Sequence, residues 1–108
     1  MATEGHEDNQ GMCLYIVLYE YDPELLELKK QFHDEHRAFM HRLNSLGIVL
    51  SSGRTTTANQ RGSLTIMLAR DAEEAKRILN DDPYAKAGIV KSMTVRDWSP
   101  AVGTFADC

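Results

Sequence analysis

Long apolar runs are missing from this sequence, and so are the marks of several protein classes. No run approaches the roughly 20 apolar residues that a membrane-spanning helix needs, and no signal-peptide pattern opens the chain. There are only two cysteines, Cys13 and Cys108, and their separation matches no metal-ligand spacing. Two thiols in a chain of ordinary apolar content favour a reducing compartment. We therefore expect a cytoplasmic protein without a metal site.

A strong excess of positive charge is also missing. The 108 residues carry 12 Lys and Arg against 16 Asp and Glu, and no basic stripe stands out, which argues against a nucleic-acid-binding protein. The sequence contains no phosphate-binding loop, nucleophile elbow or metal cluster. If the protein is an enzyme, acid–base chemistry without a cofactor is the class that remains.

What is present is a pattern of alternating strands and helices in one domain. We expect a polar, disordered tail over residues 1–11, a folded domain over 12–98 and a C-terminal extension over 99–108. Segments 13–21 and 63–69 have apolar side chains at both parities, as central strands covered on both faces do.

Shorter segments complete the predicted order of elements. Strands are predicted at 48–52 and at 89–98, and the cleaner alternation of the latter indicates a sheet edge. The polar, glycine-bounded segment 53–62 is predicted to be a loop. Two helices are predicted from their capping residues, one from Asp22 and Pro23 to about Leu46 and one from Asp71 to Asn80.

The resulting β-α-β-β-α-β order predicts a ferredoxin-like α+β domain with an antiparallel sheet. Right-handed crossovers would place both helices on one face of that sheet. The other face would then expose apolar side chains of the two central strands, and monomers seldom leave such a patch bare. We expect a second copy of the chain to cover it, sheet against sheet, in a homodimer.

A histidine interrupts the apolar stripe of the first predicted helix. Steps of three and four connect His36 with the core-facing positions Leu25, Leu28, Phe32, Phe39, Leu43 and Leu46. His33 and His41 fall off this stripe and are expected at the surface. A buried imidazole with a fixed partner can be tuned for proton transfer. Its alternative role is that of a core histidine satisfied by one hydrogen bond.

A carboxylate continues the inward face of the second predicted helix. Ala72, Ala75 and Leu79 lie on that face and Asp82 follows at the next step of three, whereas Asp81 should point elsewhere. An Asp-Pro pair also starts helices, so Asp82 has an alternative role as the cap of a short extra turn. A carboxylate facing an imidazole would fix its tautomer, as a general base requires.

The segment "NDDPYAKAGIVKSMTVRDW" resembles the C-terminal signature of the YCII-like proteins. The spacing from His36 to Gly47, followed by the strand "IVLSSG", is also similar to that family. The likeness extends over about residues 13–98. It implies a dimeric α+β barrel with a His–Asp active-site pair, which maps onto His36 and Asp82. Related barrels include muconolactone isomerases, and the family has been linked to removal of halide from chlorinated hydroxyquinols.

Two positions depart from the family pattern, and both bear on the ligand. The resemblance implies an arginine at the position of His33 and a proline at the position of Arg54. Near the end of the second strand, Ser52 and Arg54 are candidates for substrate binding, because an arginine there could hold an organic acid or phenolate. Tyr84 is expected to form part of the pocket wall. Arg61 is a further candidate, although a solvated loop charge is the favoured explanation for both arginines.

Two functions compete at this point, and a third, a purely structural interaction module, would account for the apolar sheet face but not for the His–Asp pair. The first is a lyase, isomerase or dehydrochlorinase in which the pair acts on a small oxygenated ring compound or lactone. The second is a non-catalytic, small-ligand-binding or accessory homodimer.

Overall fold

The computed structural model describes residues 11–106, so the predicted tail lies almost entirely outside the described residues. The four strands are β1 (Cys13–Tyr21), β2 (Val49–Thr57), β3 (Gln60–Ala69) and β4 (Val90–Asp97). The helices are α1 (Leu26–Gln31), α2 (His33–Ser45), α3 (Ala72–Leu79) and the short α4 (Pro83–Lys86), with a 3-10 turn at Pro23–Leu25. This order confirms the predicted α+β class.

The strands form one antiparallel sheet in the order β2-β3-β1-β4. The two strands with apolar residues at both parities, β1 and β3, are central, and β4 is an edge, as their patterns predicted. Opposite pairs such as Val17 with Thr65 fix the register of the central ladder. The helices pack on the face of β1 that carries Val17 and Tyr19.

The predicted loop at 53–62 is wrong. β2 and β3 remain paired as far as Thr57 and Gln60, so the segment forms a long hairpin with its turn at Ala58 and Asn59. Three consecutive threonines lead into that turn, and β-branched residues favour strands. The polarity of the segment predicted a loop. Nearly all of its side chains are exposed, so this polarity reflects exposure to solvent and does not exclude a strand.

The first predicted helix is not continuous. It is interrupted at Phe32, whose backbone N–H donates to the carbonyl of Lys29 three residues back, so that α1 ends and α2 begins. Leu43 is buried as predicted, but Leu46 is 65% exposed because α2 ends before it. Gly47 follows with a φ of 78°, which only glycine adopts without strain.

The second predicted helix agrees with the structure. Asp71 caps α3 through a hydrogen bond from the Glu74 N–H, and Ala75 and Leu79 are fully buried against the sheet. No helix within residues 11–106 is long and apolar enough to cross a membrane.

Candidate active site

Asp82 occupies a buried position where α4 begins. Its Oδ1 accepts the backbone N–H of Tyr84 at 3.0 Å, which caps the helix as the Asp-Pro pair predicted. The same side chain is 0% exposed, whereas the neighbouring Asp81 is exposed. A carboxylate removed from water in this way requires hydrogen-bond donors around it. Capping supplies only one of them.

The second donor is His36, the residue that interrupts the apolar stripe of the first predicted helix. His36 Nδ1 lies 2.8 Å from Oδ1 and 2.9 Å from Oδ2 of Asp82, so the structure brings the two predicted residues together. Because a carboxylate only accepts, Nδ1 carries the proton of this bond. The His36 side chain is 16% exposed, and its ring stacks on Tyr84 at 4.0 Å between centroids.

The third donor is Tyr19 of β1, which the sequence analysis did not single out. Its hydroxyl donates to Asp82 Oδ2 at 2.8 Å. Burial raises the pKa of the Tyr19 hydroxyl, and the negative charge of Asp82 raises it further. A signal was available, since Tyr19 shares strand parity with Val17 and therefore faces the helices.

Tyr84 connects the cluster of Asp82, His36 and Tyr19 with the exposed His33. Its ring covers one face of His36, and its hydroxyl lies 3.3 Å from Nδ1 of His33. Burial, followed by the charge of Asp82, raises the pKa of the Tyr84 hydroxyl. His33 is exposed as predicted, but it lies at the edge of the site rather than away from it.

A cavity of about 520 Å³ opens beside His36, between α2 and the β2–β3 hairpin. Ser52, Arg54 and Tyr84, the three predicted substrate-binding residues, all line it. The Ser52 hydroxyl is already hydrogen-bonded to that of Thr65 at 2.8 Å. Arg61 lines a separate cavity on the other side of Arg54.

Gly62 of β3 forms part of the cavity wall next to β1. A Cβ at this position would lie 2.0 Å from the carbonyl oxygen of Tyr19, so no other residue fits without moving the strand. The close approach of the two strands holds the backbone of Tyr19 in place, and with it the hydroxyl that reaches Asp82.

The arrangement is suited to moving a proton. Because Nδ1 of His36 is hydrogen-bonded to Asp82, the other ring nitrogen, Nε2, is the atom that can exchange a proton with a molecule in the cavity. Asp82 would stabilise the imidazolium formed in that exchange. Within the described part of the chain, no group of three or more His, Cys, Asp or Glu side chains is placed to hold a metal ion.

Comparison with known proteins gives a family and similar folds. The model of the YCII-related domain matches residues 13–99. Among curated proteins, none matches.

Among solved structures, 5-chloro-2-hydroxyhydroquinone dehydrochlorinase of Burkholderia phenoliruptrix, in complex with 2,5-dihydroxybenzoquinone, is similar with a TM-score of 0.69 and 24% identity. The match covers 79% of this chain and 92% of that one. An uncharacterised NIPSNAP-like domain protein of Burkholderia xenovorans gives a TM-score of 0.50 at 14% identity, covering 83% and 85% of the two chains. At these identities the likeness shows the fold.

Proposed function

The chain belongs to the YCII-related family, and we propose that it is a small-molecule enzyme using His36 and Asp82 as an acid–base pair. The observation that carries this proposal is the two-oxygen contact between His36 Nδ1 and the fully buried Asp82. A core histidine needs one hydrogen bond, and a helix cap needs one backbone N–H. Both needs could be met without burying a carboxylate beside an imidazole that faces a cavity.

In the proposed reaction, Nε2 of His36 takes a proton from an O–H or activated C–H group of the substrate. The positive charge that develops on the ring is balanced by Asp82, which also holds the ring in the tautomer with Nε2 unprotonated. The proton then returns to another atom of the product in an isomerisation. In an elimination it leaves with the departing anion, as hydrogen chloride does in a dehydrochlorination.

The substrate class is a small oxygenated ring compound or lactone. The cavity volume of about 520 Å³ suits a single ring with its substituents. The similar structure from Burkholderia phenoliruptrix is named for a chlorinated hydroxyquinol and holds a dihydroxyquinone. Ser52, Arg54 and Tyr84 are proposed to contact the substrate, with Arg54 holding an acidic oxygen.

The working form is proposed to be a homodimer that pairs through the sheet face opposite the helices. Aliphatic side chains occupy that face in register, Ile16 beside Ile66 and Leu18 beside Leu64. These four residues lie outside the core cluster within the described chain. A second sheet would remove them from water, as in the dimeric barrel that the family resemblance implies.

The test of function is His36→Gln, which keeps most of the bulk and one polar contact but cannot cycle a proton near neutral pH. Chlorinated hydroxyquinols and small lactones are the substrates to assay. Turnover should fall by roughly a hundredfold to ten-thousandfold, as for a lost general base. His41→Gln, at an exposed cavity residue away from Asp82, is the matched control and should retain turnover within about threefold.

A protein that binds these compounds but turns none of them over would favour the non-catalytic ligand-binding role. If the Gln variant fails to fold, circular dichroism and the melting temperature will show it, and His36 would then be a core residue.

A further inference from the structure

Three cations line the cavity beside His36, and residues 11–106 supply none of them with an acidic partner. Lys29, Arg37 and Arg54 come from three different elements, α1, α2 and β2, and all three line it. Its lining within residues 11–106 includes no Asp or Glu side chain. None of the three cations forms an ion pair with a carboxylate of the described residues. Like charges gathered in this way repel one another unless an anion joins them.

Lys29 is held in place more firmly than an ordinary surface lysine. Its Nζ lies over the Tyr21 ring at 4.7 Å from the centroid and over the Tyr84 ring at 5.0 Å. Ammonium groups are attracted to such ring faces, and two rings define a position that a solvated lysine lacks. Burial lowers the pKa of Lys29, and the nearby charges of Arg54 and Arg61 lower it further.

The same tyrosine connects this ammonium with the acid–base pair. Tyr84 contacts Lys29 through its ring and is stacked on His36, so both residues adjoin one aromatic side chain. Lys29 and His36 also line the same cavity, so a ligand bound at Lys29 through an anionic oxygen would share that cavity with His36. Lys30, by contrast, is paired with Glu27 at 3.0 Å and lies outside the cavity lining.

We propose that Lys29 is the anion anchor of this cavity and that the ligand is a small organic anion, a carboxylate or phenolate. The anchored oxygen lies at Lys29 and is shared with Arg54, Arg37 adds positive potential around it, and the reacting end lies at His36. This inference rests on the proposed function for the role of His36, but the binding site itself does not require turnover. It assigns a ligand contact to a residue that the sequence pattern left unmarked.

The experiment compares binding of benzoate and benzamide, which have nearly the same shape but differ in charge, by NMR titration. The wild-type protein should bind benzoate at least about tenfold more tightly. Lys29→Met should lose about tenfold or more of the benzoate affinity, the range of one charge-assisted contact, with benzamide changed less than about twofold. Lys29→Arg should restore most of the preference.

Lys30→Met is the matched control, because it removes the same charge from the neighbouring residue and should change benzoate binding less than about twofold. The melting temperature of Lys29→Met should be close to that of the wild type, because losing the ring contacts of the ammonium is offset by removing a buried charge that Arg54 and Arg61 repel. A wild-type protein without a preference for benzoate would overturn the proposal. So would a Lys29→Met variant that retains the preference, or one that weakens both ligands equally.

The two proposals fail separately. If the charge preference depends on Lys29 but no compound is turned over, the anion site stands and the enzyme proposal fails. If His36→Gln abolishes turnover while Lys29→Met leaves anion binding unchanged, the enzyme proposal stands and the anchor is wrong.

Discussion

The two faces of β1 differ in chemistry although they alternate along a single strand. The face toward the helices carries Tyr15, Val17, Tyr19 and Tyr21, all of them buried. The opposite face carries Leu14, which is also buried, and Ile16, Leu18 and Glu20, which are half-buried or exposed. Hydroxyl-bearing rings are concentrated on one side, and branched aliphatic side chains on the other.

This difference separates the two tasks that we propose for one strand. Tyr19 on the helix-facing side needs a polar partner when it is buried, and it finds one in Asp82. Ile16 on the opposite side carries no polar group and can be buried by any apolar surface, including a second copy of the sheet. The helix-facing side of β1 therefore contributes to the proposed site, and the opposite side to the proposed dimer.

The largest effect is expected from placing a lysine on either face at adjacent positions. Val17 is 0% exposed, so Val17→Lys buries an unpaired charge and should prevent folding, as seen by circular dichroism. Ile16→Lys puts the same charge on the open face, and it should fold. Size-exclusion chromatography should give a mass near twice the 12.2 kDa chain for the wild type and near one chain for Ile16→Lys.

The same size-exclusion chromatography can also contradict the assignment of the dimer to the open face. A wild-type protein that is monomeric at micromolar concentration removes the dimer, and the open face would then need another explanation. An Ile16→Lys variant that remains dimeric would place the dimer contact elsewhere on the molecule.

The next effect concerns the carboxylate itself. Asp82→Asn keeps the helix cap, since Asn caps about as well as Asp, but removes the negative charge beside His36. Turnover should fall by about a hundredfold, and the hydrogen-bonded Nδ1 proton of His36 should lose its downfield NMR signal. Asp81→Asn, at the exposed neighbour, is the control and should change neither. If Asp82→Asn retains both its turnover and the downfield NMR signal of His36, Asp82 serves as a cap only.

Sequence patterns were sufficient for the parts of this molecule that follow a period. The interruption of an apolar stripe at His36 and the step of three that reaches Asp82 predicted two side chains that lie 2.8 Å apart. The central strands, β4 as an edge and the cap at Asp71 follow from similar local rules.

Two other contacts between distant segments were missed. The hydroxyl of Tyr19 meets Asp82 across 63 positions of the sequence, and Lys29 takes its position from the rings of Tyr21 and Tyr84. Neither contact has a spacing that a single segment reveals. The interruption at Phe32 likewise has no proline or glycine to mark it.

A smaller effect is expected from Tyr19→Phe, which removes the hydroxyl but leaves the ring. The loss of a buried hydrogen bond to a charged group should destabilise the protein by about 1.5–3 kcal/mol near neutral pH, measured by urea unfolding. Asp82 would keep its donors from His36 and Tyr84, so turnover should fall by only about threefold to tenfold.

The pH dependence of the same variant gives a second measurement. Because the pKa of Tyr19 is raised in the folded state, its stabilising contribution is fully present below about pH 10, the value of a free tyrosine. The contribution is lost as the pH rises above that value. The stability difference between the wild type and Tyr19→Phe should therefore shrink in alkaline solution, and a difference that stays constant would contradict the hydrogen bond to Asp82.

The smallest effect is expected from deleting residues 1–11, and it sharpens the comparison of the two faces. This segment has no periodic apolar side chains with which to cover the open face of the sheet, so the cover must come from elsewhere. The deletion should shift the melting temperature by less than about 2 °C, since 1 kcal/mol corresponds to about 4–8 °C in a domain of this size. The dimer should also persist in size-exclusion chromatography. A large fall in melting temperature together with new aggregation would instead mean that the tail protects Ile16 and its neighbours, and that the open face is covered within one chain.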